Sequence, residues 1–284
     1  SISADGRIVV NKVQSSQNVS FTSANDAIEV NGNVSSGQNT TIKSKSTIDA
    51  QNVSLTTGAD LSLTSQNVDV SNSQVVAGVD DQGELQAGQG NLSIDVSDTL
   101  TYSGARLAAG KNLTVKANNI DSGDISHGLT SRGALSVEAQ NMTKTSGGIS
   151  SDGDMTLNVA NLGLTSTGAM SKAQLSLQTN DFTNAAQLGS VGDLTFSVSG
   201  SILNDTGATI QSEGTLSLTS TASSVTNRGL LSARTALSID AASDIRNESA
   251  GRMESDGDIS LNAQGGNIYN ANEIEALGDI TLTA

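Results

Sequence analysis

A three-residue unit, apolar then usually Ser or Thr then apolar, returns about every 21 residues, and a chain built this way has few folds open to it. It reads Leu92-Ser93-Ile94, Leu113-Thr114-Val115, Leu135-Ser136-Val137, Met155-Thr156-Leu157, Leu175-Ser176-Leu177 and Leu194-Thr195-Phe196. It continues as Leu216-Ser217-Leu218, Leu237-Ser238-Ile239, Ile259-Ser260-Leu261 and Ile280-Thr281-Leu282. Strict alternation sends the first and third residues to one side and the hydroxyl to the other, the pattern of a short half-buried strand. Two more apolar beats follow in each repeat. The second falls at Leu100, Ile120, Met142, Leu162, Phe182, Ile202, Val225, Ile245 and Ile268, and the third at Leu107, Leu129, Ile149, Met170, Leu188, Ile210, Leu231, Met253 and Ile274. Three short strands per repeat describe one turn of a three-sided coil.

The N-terminal third keeps this step with a blurrier motif. Val19-Ser20-Phe21, Thr40-Thr41-Ile42 and Leu61-Ser62-Leu63 carry the first beat, with Ile28 and Val34, then Ile48 and Val53, on the others. The wider gap from Leu61 to Leu92 predicts an insertion of about ten residues between Ala77 and Leu85, within residues 77–86. Residues 1–18, with Val13 on the third beat, read as the end of a coil, and Ile280 to Ala284 as the start of another, so the natural chain is expected to continue in both directions. One domain is expected over residues 1–284, with less regular coils over 1–90 and regular repeats over 90–284.

A strand of three or four residues is unstable alone but gains partners above and below when coils stack about 4.8 Å apart. The expected fold is therefore all-β: a right-handed parallel β-helix, or three-sided β-solenoid, of about 12 coils and about 60 Å in length. Proline, which cannot donate to a ladder, is absent from the chain. Glycine precedes the first strand at Gly37, Gly58, Gly90, Gly110, Gly133, Gly153, Gly192, Gly214, Gly257 and Gly278, where it is expected to supply positive φ at a corner. Asn184, Asn204, Asn227, Asn247 and Asn270 each stand two residues after a second-beat apolar residue, and stacking predicts a structural asparagine ladder.

Composition narrows function further. With 2% aromatics, the core must be thin layers of Val, Ile, Leu and Ala. A net charge of -15 without basic clusters argues against nucleic acid as a partner. No apolar run reaches the roughly 20 residues that span a bilayer, and residues 1–20 lack a leader pattern, so the segment is expected to be soluble and to follow any signal peptide. The chain has no cysteine, which suits export through an oxidising periplasm.

Gly192-Asp193-Leu194-Thr195-Phe196 and Gly257-Asp258-Ile259-Ser260-Leu261, followed by an apolar-x-Asn corner and a Gly-x-apolar-x-Ser/Ala turn, resemble the filamentous haemagglutinin repeats of two-partner secretion exoproteins. The resemblance runs along essentially the whole chain and is strongest over residues 90–284. It implies a Gram-negative exoprotein, secreted through a dedicated outer-membrane transporter and displayed at the cell surface as a fibre. Family members include adhesins involved in virulence and contact-dependent growth inhibition proteins, whose rods carry a receptor-binding region and deliver a C-terminal toxin. The partner so implied is a protein or glycan receptor on a host cell or a neighbouring bacterium.

Parallel β-helices also host polysaccharide-degrading enzymes, which combine carboxylates with Lys or Arg in a groove, often with calcium. The insertion carries Asp80, Asp81 and Glu84 with no basic residue, so it reads as a solvated bulge and the three acids only as candidate contact residues. His127, the single histidine, lacks the companions a metal site or triad needs. Asp152 with Asp154, and Asp256 with Asp258, read as turn formers, because the nonapeptide of calcium-binding repeats is missing. Ice binding on the hydroxyl row would want a matching second rank. That rank holds Asp95, Lys116, Glu138, Asn158, Gln178, Ser197, Thr219, Asp240 and Asn262, which is mixed. Asn-x-Ser/Thr sequons such as Asn112-Leu113-Thr114 and Asn204-Asp205-Thr206 follow from the repeat itself. The expected protein is a monomeric structural shaft segment without catalysis, cofactor or metal, in an adhesive or cell-contact protein.

Overall fold

Alternation of period two places one side chain in water and the next in the interior, and the burial of each strand follows it: Leu175–Thr179 alternates buried and exposed from end to end. The computed structural model describes residues 1–123, 128–145, 148–164 and 168–284, which form two units, Ser1–Gly153 and Asp154–Ala284. Each unit is a parallel β-solenoid, and no helix occurs among the described residues. In the first unit Leu61, Leu92, Leu113 and Leu135 stand in register, and in the second Leu175, Leu194, Leu216, Leu237 and Ile259 do. The first two sides of the coil are one sheet that bends, visible where Leu61–Asp69, Leu92–Thr101 and Leu113–Asp121 run through both beats as single strands. The third side is a separate sheet. Leu92–Thr101 carries one extra residue against both neighbours, a bulge confined to the bend between Asp95 and Thr99.

Thirteen third-side strands are present among the described residues, Val13–Ser15 to Ile149–Ser151 in the first unit and Ala169–Ser171 to Glu273–Ala276 in the second, against the twelve coils expected. The difference lies at residues 1–18. They form a whole coil, with Ile2 opposite Phe21, Ile8 opposite Ile28 and Val13 opposite Val34. Its first strand, Ile2-Ser3-Ala4, aligns with the later half of Val19–Ser23 and so lacks the repeat's usual opening residue.

The interior is aliphatic, as thin layers demand. Ile42, Ile48 and Leu55, one from each side of a single coil, are fully buried. Phe182 and Phe196 meet inside the second unit with ring centroids 5.2 Å apart and planes tilted by 49°. Tyr102, buried in the first unit, has its phenol pushed well above its ordinary value by desolvation, partly offset by a hydrogen bond with Ser122.

Two third-beat assignments change. Ala169 points inward and Met170 outward, with Met170 54% exposed and its Sδ and Cε lying over Gly189. Leu55 rather than Val53 holds the third-beat place, opposite Val34 and Val75. Both follow from a column of small residues at the end of this side. Ser15, Ser36, Thr57, Ala77, Ala109, Ser131 and Ser151 are in register in the first unit, and Ser171, Ser190, Ser212, Ala233 and Ser255 in the second. Most of the hydroxyls in this column turn in to corner carbonyls: Ser131 Oγ donates to Lys111 O at 2.7 Å and Ser212 Oγ to Gly192 O at 2.8 Å. With Ser171 fixed inward, its neighbour Met170 must point out and Ala169 in.

The corner glycines also act differently from the expectation. Of those preceding the first strand, only Gly90 has positive φ. The others clear space for the coil beneath: a Cβ at 133 would lie 2.4 Å from Lys111 O, and one at 257 would lie 1.9 Å from Thr235 O. That carbonyl belongs to stacked backbone and cannot swing aside. Gly257→Ala is therefore expected to cost about 1–3 kcal/mol through overpacking. The measurement is a urea unfolding curve, and an unchanged midpoint would mean that the coils are spaced more loosely than this corner shows.

Candidate functional site

Three sets of polar groups recur at the corners, and they differ in what they can do. In the second unit, Asn184 Nδ2 donates to Asn204 Oδ1 at 2.9 Å, Asn204 to Asn227 at 2.8 Å, Asn227 to Asn247 at 2.9 Å and Asn247 to Asn270 at 2.8 Å. The second proton of each amide goes to a backbone carbonyl one coil on, as from Asn227 to Arg252 O at 3.0 Å. Asn184 and Asn227 have no exposed surface, and burial there is tolerable because the amides are satisfied by one another. From Asn184 to Asn247 these amides are consumed by the fold and offer nothing to a ligand, while Asn270 ends the file and is exposed.

A second set includes Asp154 and Asp258, two of the residues that read as turn formers. The Asn or Asp just before the first strand accepts an N–H from the matching place in the next coil: Asn18 from Asn39, Asn39 from Asp60, Asp60 from Asn91 and Asn112 from Ala134. In the second unit Asp154 accepts from Gln174, Asp193 from Thr215 and Asp258 from Asp279. The recurrence of Asn or Asp at one offset before most of these strands, broken by Ala134, Gln174, Thr215 and Ala236, was the available signal. Asp181 works alike at another corner, taking the N–H and Oγ–H of Ser201, and these bonds hold its carboxyl below the usual range.

The third set faces water. Ser20, Thr41, Ser62, Ser93, Thr114 and Ser136 form one unbroken file in the first unit, and Thr156, Ser176, Thr195, Ser217, Ser238, Ser260 and Thr281 another in the second. The parallel rank is mixed, with Lys116 and Glu138 paired at 3.3 Å.

The insertion interrupts this regularity. It occupies residues 78–91, where the corresponding connections are residues 58–60 and 110–112, and so runs past the expected end at 86. Its ends meet: Gly78 and Gly90 both have positive φ, and a Cβ on Gly90 would lie 2.2 Å from the nitrogen of Gly78. Between them the chain folds on itself through an antiparallel bridge of Val79 with Leu85, making an Ω-like loop. Asp80 holds the loop together. Its Oδ1 accepts the N–H groups of Gln82 and Glu84 at 3.0 and 2.9 Å, and its Oδ2 accepts Gln86 Nε2 at 2.7 Å. Gly88 N donates to Gly110 O at 2.6 Å, which ties the loop to the next coil. Asp81 and Glu84 are exposed, and Asp81 makes no hydrogen bond or ion pair among the described residues. Of the three acids, Asp80 is structural and Asp81 lines a groove of about 430 Å³ with Gln14, Ser16, Ser35, Gly37 and Gly58.

A further groove of about 480 Å³ lies on the third side of the second unit and unites Glu213, Arg234, Arg252, Glu254, Asp256 and Glu275, a mixture of acids and bases that single residues read along the chain did not disclose. Its arginines are tied up, Arg234 to Glu213 at 3.2 Å and Arg252 to Glu254 and, at 2.9 Å, to Glu273. These acids raise the affinity of Arg252 for its proton, so it cannot serve as a base. Among the described residues no group of three or more His, Cys, Asp or Glu could hold a metal ion. His127 lies outside the described residues.

In-register solenoids whose corners are closed by their own side chains, with the polar surface left to solvent, define a structural repeat protein. The haemagglutinin repeat model matches residues 1–104, 82–139, 124–263 and 249–284, and the chain belongs to that family. No curated protein and no solved structure matches the chain.

Proposed function

We propose that this chain is a shaft segment of a large secreted bacterial exoprotein, displayed at the cell surface, in which it supplies reach for adhesion or cell-to-cell contact and performs no catalysis. The observation that supports this most is the consumption of its recurring buried polar groups by coil-to-coil bonds, with the Asn184 to Asn270 ladder as the clearest instance. Such a molecule spends its sequence on stacking. The haemagglutinin repeat family, typical of secreted and cell-surface bacterial exoproteins, supports the setting. Export through an outer-membrane transporter, and a receptor on a host cell or on a neighbouring bacterium, belong to this reading as well. A growth-inhibition protein with a toxin elsewhere in its length fits the same shaft.

Binding of the purified chain to epithelial cells and to Gram-negative bacteria, read by flow cytometry, tests the contact role. Saturable retention on either cell type is expected, and its absence from both would leave the segment a mere spacer. The acids and arginines of the groove at Glu213 and Arg234 favour one second reading, a polysaccharide-degrading enzyme. Release of reducing or unsaturated ends from polygalacturonate, abolished by Asp256→Ala or by Asp81→Ala, would replace the shaft by an enzyme.

A further inference from the structure

We infer that the groove between the 78–91 loop and the first coils of the Ser1–Gly153 unit binds an uncharged, hydroxyl-rich ligand, namely a neutral sugar unit of a surface glycan. This rests on the contact role proposed above and gives it a place. Three observations carry it. The loop is the one large departure from the repeat among the described connections, and it is pinned: its ends touch, Asp80 braces its turn and Gly88 bonds to the next coil. Preformed walls spare a ligand the cost of ordering them. Next, the floor at Gly37 and Gly58 is bare backbone, and it stays so because a Cβ at 58 would lie 2.6 Å from Gly37 O in the stacked coil. Finally, four of the lining side chains are unused by the fold: those of Gln14, Ser16, Ser35 and Asp81 make no hydrogen bond to another described residue, whereas those of Ser15, Ser36 and Asp80 are engaged within it.

The chemistry of that lining selects the ligand. Serine hydroxyls and a glutamine amide both donate and accept, which matches sugar hydroxyls, groups that also do both. A bare ammonium or guanidinium only donates, and would use the acceptors of this lining while leaving its amide N–H and serine O–H groups to water. The two oxygens of Asp80 are already engaged, so Asp81 is the single free carboxylate, placed to accept from neighbouring hydroxyls. No cation lines the groove, and a sialylated or sulfated terminus would meet Asp81 as a like charge.

The loop can be removed cleanly. Joining Gly78 to Gly90 restores a Gly-Gly-Asn connection equivalent to Gly58-Ala59-Asp60 and Gly110-Lys111-Asn112, with Asn91 still in place. The test uses the full chain on surfaces bearing mannose-, galactose- or N-acetylglucosamine-terminated oligosaccharides, the same sugars capped with sialic acid, and a Lys/Arg-rich peptide. Retention on at least one neutral surface is expected, with capped sugars and peptide not retained. Excision of 79–89, and separately Ser35→Trp, which fills the groove from the strand side, should each weaken retention at least about tenfold. Thr195→Trp, a substitution of the same kind on the outer face of the other unit, should leave it unchanged, and the β-sheet circular dichroism of every variant should match the parent. Preference for the peptide or the capped sugars, no retention on any neutral surface, or retention indifferent to both loop excision and Ser35→Trp would overturn the assignment. Cell binding is measured with the same preparations: cells bound without neutral sugars would sink the groove and spare the contact role, whereas loss of both would sink the two together.

Discussion

Asn227→Ala should lower the unfolding free energy of the Asp154–Ala284 unit by about 4 kcal/mol, taking each intramolecular hydrogen bond at about 1 kcal/mol. Four bonds end at this side chain: it donates to Asn247 Oδ1 and Arg252 O, and accepts from Asn204 Nδ2 and Gly229 N. Alanine leaves their partners buried and unmet, since Asn204 and Asn247 are nearly as enclosed as Asn227 itself. Asn227→Asp is a sharper probe. A carboxylate can still accept from Asn204 and Gly229 but cannot donate to Asn247 or Arg252, and it places a charge in the interior, so it should fare no better than alanine. Guanidinium unfolding, with hydrogen exchange at residues 225–231 as a local reading, decides it. A loss below about 1 kcal/mol for both variants would mean that the amides stack without contributing, against the usual cost of orphaned buried polar groups.

Phe182→Ala should be the comparable loss in the apolar interior, about 3–5 kcal/mol by the behaviour of large-to-small core substitutions. Phe182 and Phe196 are both fully buried and lie against each other, and the surrounding layers are aliphatic side chains anchored in parallel ladders. Backbones pinned at both edges cannot collapse far into the space left behind, which puts the cost toward the upper part of that range. Phe182→Leu, which keeps most of the volume, should recover most of it. Thermal unfolding read by circular dichroism provides the comparison, and equal destabilisation by Ala and Leu would mean that the ring, not its volume, is what this layer requires.

Most of the architecture was legible because one short pattern repeats and each repeat confirms the last. Leu92, Leu113 and Leu135 stand one above another in the solenoid as they stand one step apart in the chain. Legibility failed where two nearby apolar residues were both candidates for the third-beat place. At Ala169-Met170 and at Val53 to Leu55, hydrophobicity alone favours the larger or the earlier residue, whereas the deciding group is a polar one, the buried Ser or Thr at the end of the strand. The corner glycines misled for a related reason: their role lies in the carbonyl of the coil beneath, a neighbour about a full repeat distant in sequence. The groove under the 78–91 loop was out of reach altogether, because it joins Asp81 to Gln14 and Ser35 across several coils. A chain position can announce an insertion, but not which part of the stack it leans over.

The asparagine seam has an orientation as well as a strength. Each amide hands its proton forward, from Asn184 towards Asn270, so four successive bonds point the same way. Aligned dipoles reinforce one another, and here they add along the stacking axis much as peptide units add along an α-helix. The seam thus has an electron-poor tip at Asn270 and an electron-rich tip at Asn184. An arriving coil that presents a carbonyl oxygen at the Asn270 tip, or an N–H at the Asn184 tip, meets an already polarised partner, so each added layer strengthens the bonds beneath it.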